Sequence, residues 1–278
     1  MRITFLSDNK TENPACVAEW GLSILIESCG HKVLFDTGAS SIFAGNAASM
    51  GIRLDDVEAA VISHGHYDHT EGLPYFCMEN DHARIYMHKN AISEAYGIDS
   101  SGRIEDDNCG IRWSNKFIEN IRDRIVFTHD NFRINNSMIL VGDIEPLKDY
   151  PMTDRFYRPV INREDKYIPD NMNHEQILIA EEETGIHIFS GCSHTGVMAA
   201  VERAKELFPG KNIRSLVAGM HLYPVEGKEK EKIVESLCSL GIDYIVPVHC
   251  SGMEAIMMFK EKLGDRCITA SAGDIYEF

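Results

Sequence analysis

The stretch Ser63-His64-Gly65-His66-Tyr67-Asp68-His69-Thr70 constrains this chain more than any other. Three histidines and a carboxylate fall within six residues, directly after the apolar run Ala59-Ala60-Val61-Ile62. Positions 64, 66 and 69 share no 3.6-residue period, so the cluster is not one face of an amphipathic helix. As a tight loop leaving a buried strand, it aims several ligand atoms at one point. Neutral imidazoles with a carboxylate suit Zn²⁺, Fe²⁺ or Mn²⁺ better than a hard ion such as Ca²⁺. The competing reading is a polar surface loop that gathers histidines by chance, and such tight clustering weighs against it.

A chain of 278 residues buries a large core, and 44% hydrophobic with 25% charged residues is ordinary for a globular enzyme. The formal net charge of -16 is not ordinary. It opposes an extended nucleic-acid surface, which needs Lys/Arg stripes, and Lys228-Glu229-Lys230-Glu231-Lys232 is charge-mixed instead. A small anionic substrate stays compatible with it, because metal charge dominates locally in a cleft. Eight cysteines at 16, 29, 77, 109, 192, 238, 250 and 267 include no CxxC pair, which argues against a disulfide framework and a Cys₄ site. The opening Met1-Arg2-Ile3-Thr4-Phe5-Leu6 is too short for a signal-peptide core, and no apolar run approaches the ~18 residues that span a bilayer. The expectation is a cytoplasmic enzyme with a small-molecule substrate and neither nucleic-acid nor membrane partners; the oligomeric state is not legible.

Along the chain, strands are expected at 3–6, 22–27, 32–35, 59–62, 84–87, 124–127 and 138–141, with a helix over 40–50 and another opening at Gly72-Leu73-Pro74. Asp36, in Asp36-Thr37-Gly38, either caps the helix that follows or orients a metal-binding histidine. His88 reads as a structural residue, and Trp113 either packs or touches substrate. From 90 to 170 the pattern weakens and turn residues accumulate, which reads as an insertion over the site mouth, with 142–173 loop-rich. The second half is cleaner. Glu183-Thr184-Gly185 joins two strands of a hairpin, and helices are expected from Val197 to Phe208, over 228–240 and after Gly252. Strands at 216–221, 244–248 and 267–270 complete it. Two β layers with helices outside follow from this order, in a length that allows one large domain or two small ones.

Three strand ends in this half carry His194, His221 and His249. With the 64–69 loop they supply donors for two metals, whereas a single catalytic zinc needs only three protein ligands. His221 is either an acid/base that protonates a leaving group or a structural strand-end histidine. Helix starts after His194 and Gly252 would aim backbone N–H groups at the same edge, with Ser193, Thr195 and Ser251 as hydroxyl donors to an anion.

With Asp36-Thr37-Gly38 upstream, Ser63 to His69 resembles the metal-binding loop of the metallo-β-lactamase superfamily. Gly191-Cys192-Ser193-His194, Gly219-Met220-His221-Leu222 and Val248-His249-Cys250-Ser251-Gly252 resemble its branch of dihydropterin-methyl-ribofuranosylaminobenzene-phosphate synthase-like proteins. The resemblance implies a four-layered αββα sandwich, a single domain over 1–278, with metals at one edge of the paired sheets. It implies His64 and His66 on a first metal, and Asp68, His69 and His249 on a second. His194 and His174 compete to complete the first metal. Cys192 sits where relatives place a bridging aspartate, and is either buried filler or a thiolate donor. Two divalent ions are expected, zinc first, then iron or manganese. The activity implied is hydrolysis or related chemistry, through a bridging hydroxide, on a small anionic molecule, a pterin or folate-like compound or a phosphoester. The alternatives are a nucleic-acid phosphodiesterase and a non-catalytic di-metal redox or sensor protein.

Overall fold

Strands that are apolar on both faces need cover on both sides. The computed structural model describes residues 1–99, 101–152, 156–160 and 166–278, and provides that cover with two stacked sheets and two helix layers. The first sheet runs in the order β17 (Ile275–Glu277), β1 (Arg2–Ser7), β2 (Ser23–Ser28), β3 (His31–Phe35), β4 (Ala59–Ile62), β5 (Arg84–His88), β8 (Ile125–Thr128). The second runs β16 (Tyr244–Val248), β15 (Ile213–Gly219), β14 (Gly185–Ser190), β13 (Ile177–Glu182), β10 (Met138–Val141), β9 (Asn131–Arg133).

Alternation places the two faces. Ile3, Phe5, Ile24, Ile26, Val33, Phe35 and Val61 turn inward and meet Leu178, Phe189, Val217 and Val246 of the second sheet. Leu6, Leu25, Leu34, Ala60 and Ile62 turn outward onto helices α1 (Ile42–Ser49), α3 (Leu73–Glu79) and α4 (Asn115–Ile121). On the far side Ile177, Ile188, Leu216 and Ile245 pack under α5 (Val197–Leu207), α6 (Gly227–Ser239) and α7 (Met253–Leu263). Each fully buried side chain of this kind stabilises the fold by about 1.5–3 kcal/mol. The architecture is the expected αββα sandwich.

Connectivity then sets where chemistry collects. β3, β4, β5 and β8 are mutually parallel, as are β14, β15 and β16, with α5 and α6 as their crossovers. Ligands in such sheets gather beyond the carboxyl ends of the strands. Asp36, Ser63, Gly191-Cys192, Met220-His221 and His249 all follow such ends.

Three details differ from the sequence expectation. Cys267 to Ala270 is not a closing strand: it makes one bridge, Cys267 with Ile245, and the closing strand is β17, antiparallel to β1. The 90–170 stretch contributes a small third sheet in the order β12 (Tyr167–Pro169), β11 (Tyr157–Pro159), β6 (Tyr96–Ile98), β7 (Ile104–Asn108), while β8, β9 and β10 within it return to the sandwich. Residues 142–173 are therefore not loop throughout; positions 100, 153–155 and 161–165 lie outside the described residues. Finally, the second half of the histidine loop is a single helical turn, α2 (Tyr67–Thr70), with His66 as its extended N-cap.

Candidate metal centre

The loop between β4 and α2 is fixed from below by one carboxylate. Asp36, at positive φ of 57°, accepts from the Ser63 N–H and Ser63 Oγ, each at 2.7 Å, and lies 2.7 Å from His69 Nδ1. Ser63 Oγ is 2.9 Å from His64 Nδ1. Asp36 thus orients two imidazoles and leaves their Nε2 atoms pointing away. It is not a helix cap, for Ser41 caps α1 without a side-chain bond. Gly65 and Gly191 are required by close approach: a Cβ on Gly65 would meet Ala91 O at 2.2 Å, and one on Gly191 would meet Ser63 Oγ at 2.1 Å. Trp113 packs in the outer core and donates its indole N–H to Thr70 O at 3.0 Å, bracing α2, as its structural reading anticipated.

The second sheet brings up the other donors. The Glu175 carboxylate, buried, accepts from the N–H groups of His194 (2.7 Å) and Thr195 (2.8 Å) and from Thr195 Oγ1 (2.7 Å), and so shapes the loop after β14. Asp8 accepts from the His249 N–H at 2.9 Å, and Asn9 Oδ1 lies 2.8 Å from His249 Nδ1. Asp36, Ser193, His221 and His249 are four of the eight non-glycine residues at positive φ among the described residues, a concentration of backbone strain at one edge.

What these loops converge on is a set of unsatisfied nitrogens. His64, His66, His194 and His249 are all buried; the Nε2 of His64, His66 and His194 has no hydrogen-bond partner, and that of His249 is ion-paired with Asp68. Donor atoms of His64, Cys192 and His194 lie within 4.8 Å of one another, as do those of His69, Cys192 and His249. Cys192 Sγ belongs to both sets and is 3.2 Å from His69 Nε2. The His66 ring packs 4.7 Å from His64 and 4.8 Å from His194. Asp68 Oδ2 is 3.2 Å from His249 Nε2. Buried polar atoms go unpaired rarely, and three imidazole nitrogens left so beside Cys192 and Asp68 suit an electrophilic ligand such as a metal ion.

Ionisation follows from the same crowding. Burial, reinforced by the neighbouring imidazoles, pushes His64 and His194 well below the ordinary histidine value, and burial takes His66 down to about 3. All three are therefore neutral, the form that ligates a metal. Burial opposes ionisation of Asp68, but His69 and His249 outweigh it and hold the carboxyl well below its usual range. For His249 burial also disfavours charge, yet Cys250 and Asp68 raise it to about 9. Burial, then the adjacent Cys250 sulfur at 3.3 Å, raises the Cys192 thiol.

Several expectations need correction. His174 is not the third histidine of the first set: its Nδ1 accepts from the Gly65 N–H at 3.0 Å and its Nε2 faces Asp170 at 3.4 Å, so it supports the loop from behind. Cys192 is buried, and its sulfur is the atom that the two donor groups share. The anion-binding trio fails as well, because its hydroxyls are spent on the scaffold. Ser193 donates to Gly219 O, Ser251 to Ala218 O, and Thr195 already serves the Glu175 carboxylate. His221 lines the cavity, with its ring 4.5 Å from His194. Asp8, Asn9 and Glu175 were missed; the one signal for them is an acidic or amide residue at a strand end or beside His174.

The sequence profile of the metallo-beta-lactamase superfamily matches residues 21–210. The chain belongs to the metallo-beta-lactamase superfamily. An uncharacterized protein of Methanocaldococcus jannaschii is 29% identical over 256 residues, 91% of this chain and 92% of that one. From the same organism, 7,8-dihydropterin-6-methyl-4-(beta-D-ribofuranosyl)-aminobenzene-5'-phosphate synthase is 27% identical over 286 residues, 99% and 95% of the two chains. Among solved structures, Tm1679, described as a metal-dependent hydrolase of the beta-lactamase superfamily, is 30% identical with a TM-score of 0.83, covering 100% of this chain and 99% of its own. Zn(2+)-bound PqqB from Methylobacterium extorquens, 12% identical with a TM-score of 0.59 over 100% of both chains, shares the fold. This superfamily fold implies divalent metal binding, and the unpaired Nε2 atoms around Cys192 fit it. No helix among the described residues is long and apolar enough to cross a membrane.

Proposed function

We propose that this superfamily member is a hydrolase whose whole chain forms one catalytic domain around two divalent ions, zinc foremost and iron or manganese next. His64, His66 and His194 would hold one ion, and Asp68, His69 and His249 the other, with Cys192 Sγ between them. The observation that carries this reading is the pair of buried donor groups, His64 with Cys192 and His194, and His69 with Cys192 and His249, that share a single sulfur. Such a pair supplies Lewis-acid polarisation and a nucleophile effective at neutral pH. The chain's own residues do the rest. Asp36 fixes the direction of His69 and, through Ser63, of His64. Glu175 holds the backbone that carries His194. His221, on the cavity wall, would give a proton to a leaving group.

The substrate would be small, because the cavity above the donors measures about 160 Å³. An ester or phosphoester suits the chemistry, and the name of the synthase relative adds a pterin-like molecule to the substrates worth testing. The formal charge of -16 supports a small molecule over a nucleic acid. The test is turnover of a phosphoester, lactone and pterin panel by zinc-, iron- and manganese-loaded protein. Hydrolysis of one class, lost in His69→Ala, supports the reading; activity that survives His69→Ala contradicts it.

A further inference from the structure

The rim above the donor cluster is built from rings. Trp20, Tyr67, Phe156 and Tyr223 line the cavity, and its other lining residues are histidines, cysteines and Asp68. Among the described residues no Leu, Ile, Val or Met reaches it, so its carbon-rich wall is aromatic. The rings touch in series. Trp20 lies 5.3 Å from His249 and 5.4 Å from Tyr223, Tyr223 lies 5.5 Å from His221, and Phe156 lies 5.9 Å from His221 and 4.4 Å from His66. Most of these pairs meet edge to face, an arrangement aromatic pairs prefer. Trp20 and Tyr223 are 45% and 53% exposed. Two large aromatics with this much exposed surface beside a polar-floored cavity mark a surface that a ligand covers.

We propose that this collar is a subsite for a planar aromatic or heteroaromatic ring, neutral or anionic, held by Trp20, Tyr223 and Phe156 while a polar substituent reaches the donor cluster. The proposal rests on the metal-centre reading for what lies on the cavity floor, and on the collar alone for the preference for a ring. A cationic ring is disfavoured, because the Arg112 guanidinium already sits 4.6 Å over the Tyr67 ring and divalent ions on the floor would repel it. A volume of about 160 Å³ is well under the ~300–1,000 Å³ of pockets that enclose a drug-sized ligand, so the rest of the molecule stays outside.

The test uses the full chain, with and without added zinc, and two carboxylates of one skeleton, 2-naphthoate and decahydro-2-naphthoate, with phenyltrimethylammonium as a cationic ring. Calorimetry gives the affinities. Fluorescence reads Trp20, because the only other tryptophan, Trp113, is buried. The expected result is that 2-naphthoate binds about tenfold tighter than its saturated counterpart and quenches Trp20. In a Trp20→Leu/Tyr223→Leu variant that preference shrinks to about twofold, with zinc content unchanged. Equal affinity for the two carboxylates, a preference that survives in the variant, or tighter binding of the cation overturns the proposal. A protein that binds no zinc yet keeps the aromatic preference leaves the collar standing and refutes the metal centre.

Discussion

Six buried histidines among the described residues have an Nε2 that makes no hydrogen bond or faces only a carboxylate, and they fall into two groups. His64, His66, His194 and His249 sit at one edge of the sandwich, where His69, Asp68 and Cys192 share their volume. His88 and His187 stand apart. His88 Nε2 faces Asp143 at 3.6 Å, and His187 Nε2 faces Glu182 at 3.9 Å, with Ser215 Oγ at 2.8 Å from its Nδ1. Every one of these imidazoles is withdrawn from water, so an unpaired nitrogen does not by itself mark a site. Convergence does, along with polar groups that aim the rings: the Asp36 carboxylate behind His69, Ser63 Oγ behind His64 and the Asn9 amide oxygen behind His249.

The largest effect that separates the groups is loss of metal. His64→Ala or His69→Ala should abolish tight metal binding and lower turnover at least ~10³-fold, while His187→Gln keeps full metal content. Elemental analysis of desalted protein checks it, and metal loss in His187→Gln would break the distinction. Next in size is the shared sulfur. Cys192→Ala should release one ion per chain, and Cys192→Asp, which restores an anionic donor at the same place, should retain both. Equal metal content in the alanine variant would remove Cys192 from the centre. Smaller again is the aiming carboxylate: Asp36→Asn should weaken metal affinity by ~10–100-fold, read by competition with a chromophoric chelator.

The smallest effect concerns His187 and is a matter of stability. Burial is the main reason its pKa falls to about 4, against the opposing influence of Glu182. An unfolded histidine titrates near about 6.5, so between about pH 6.5 and 4 the unfolded chain takes up a proton that the folded chain refuses. Stability is intact above that window and falls within it, by about 3 kcal/mol at most. His187→Gln removes this contribution, so its denaturation midpoint should drop less between pH 7 and pH 4.5 than the parent's. Equal drops would show that His187 is not excluded from protonation.

The sandwich was legible because 22–26, 33–35 and 177–180 are short, nearly continuous apolar runs bounded by turn residues, the pattern of strands buried on both faces. The three-residue strands at 96–98, 157–159 and 167–169 were not, since so short a run has no period and two of them end in proline. The 64–69 loop was legible from spacing alone. The choice between His174 and His194 was not, because it turns on a hydrogen bond across the sheets, Gly65 N–H to His174 Nδ1, that no local pattern encodes. Ser193, Thr195 and Ser251 misled for the same reason: a hydroxyl before a helix looks available until its buried partner is known. The aromatic collar was invisible because Trp20, Phe156 and Tyr223 come from three separate loops.

Metal stoichiometry of the full chain, loaded with zinc, desalted and measured by plasma mass spectrometry, tests the central claim most directly. Two zinc ions per chain in the parent, falling to one in Cys192→Ala, is the result predicted by two donor sets that share one sulfur. One ion or none in the parent would contradict it.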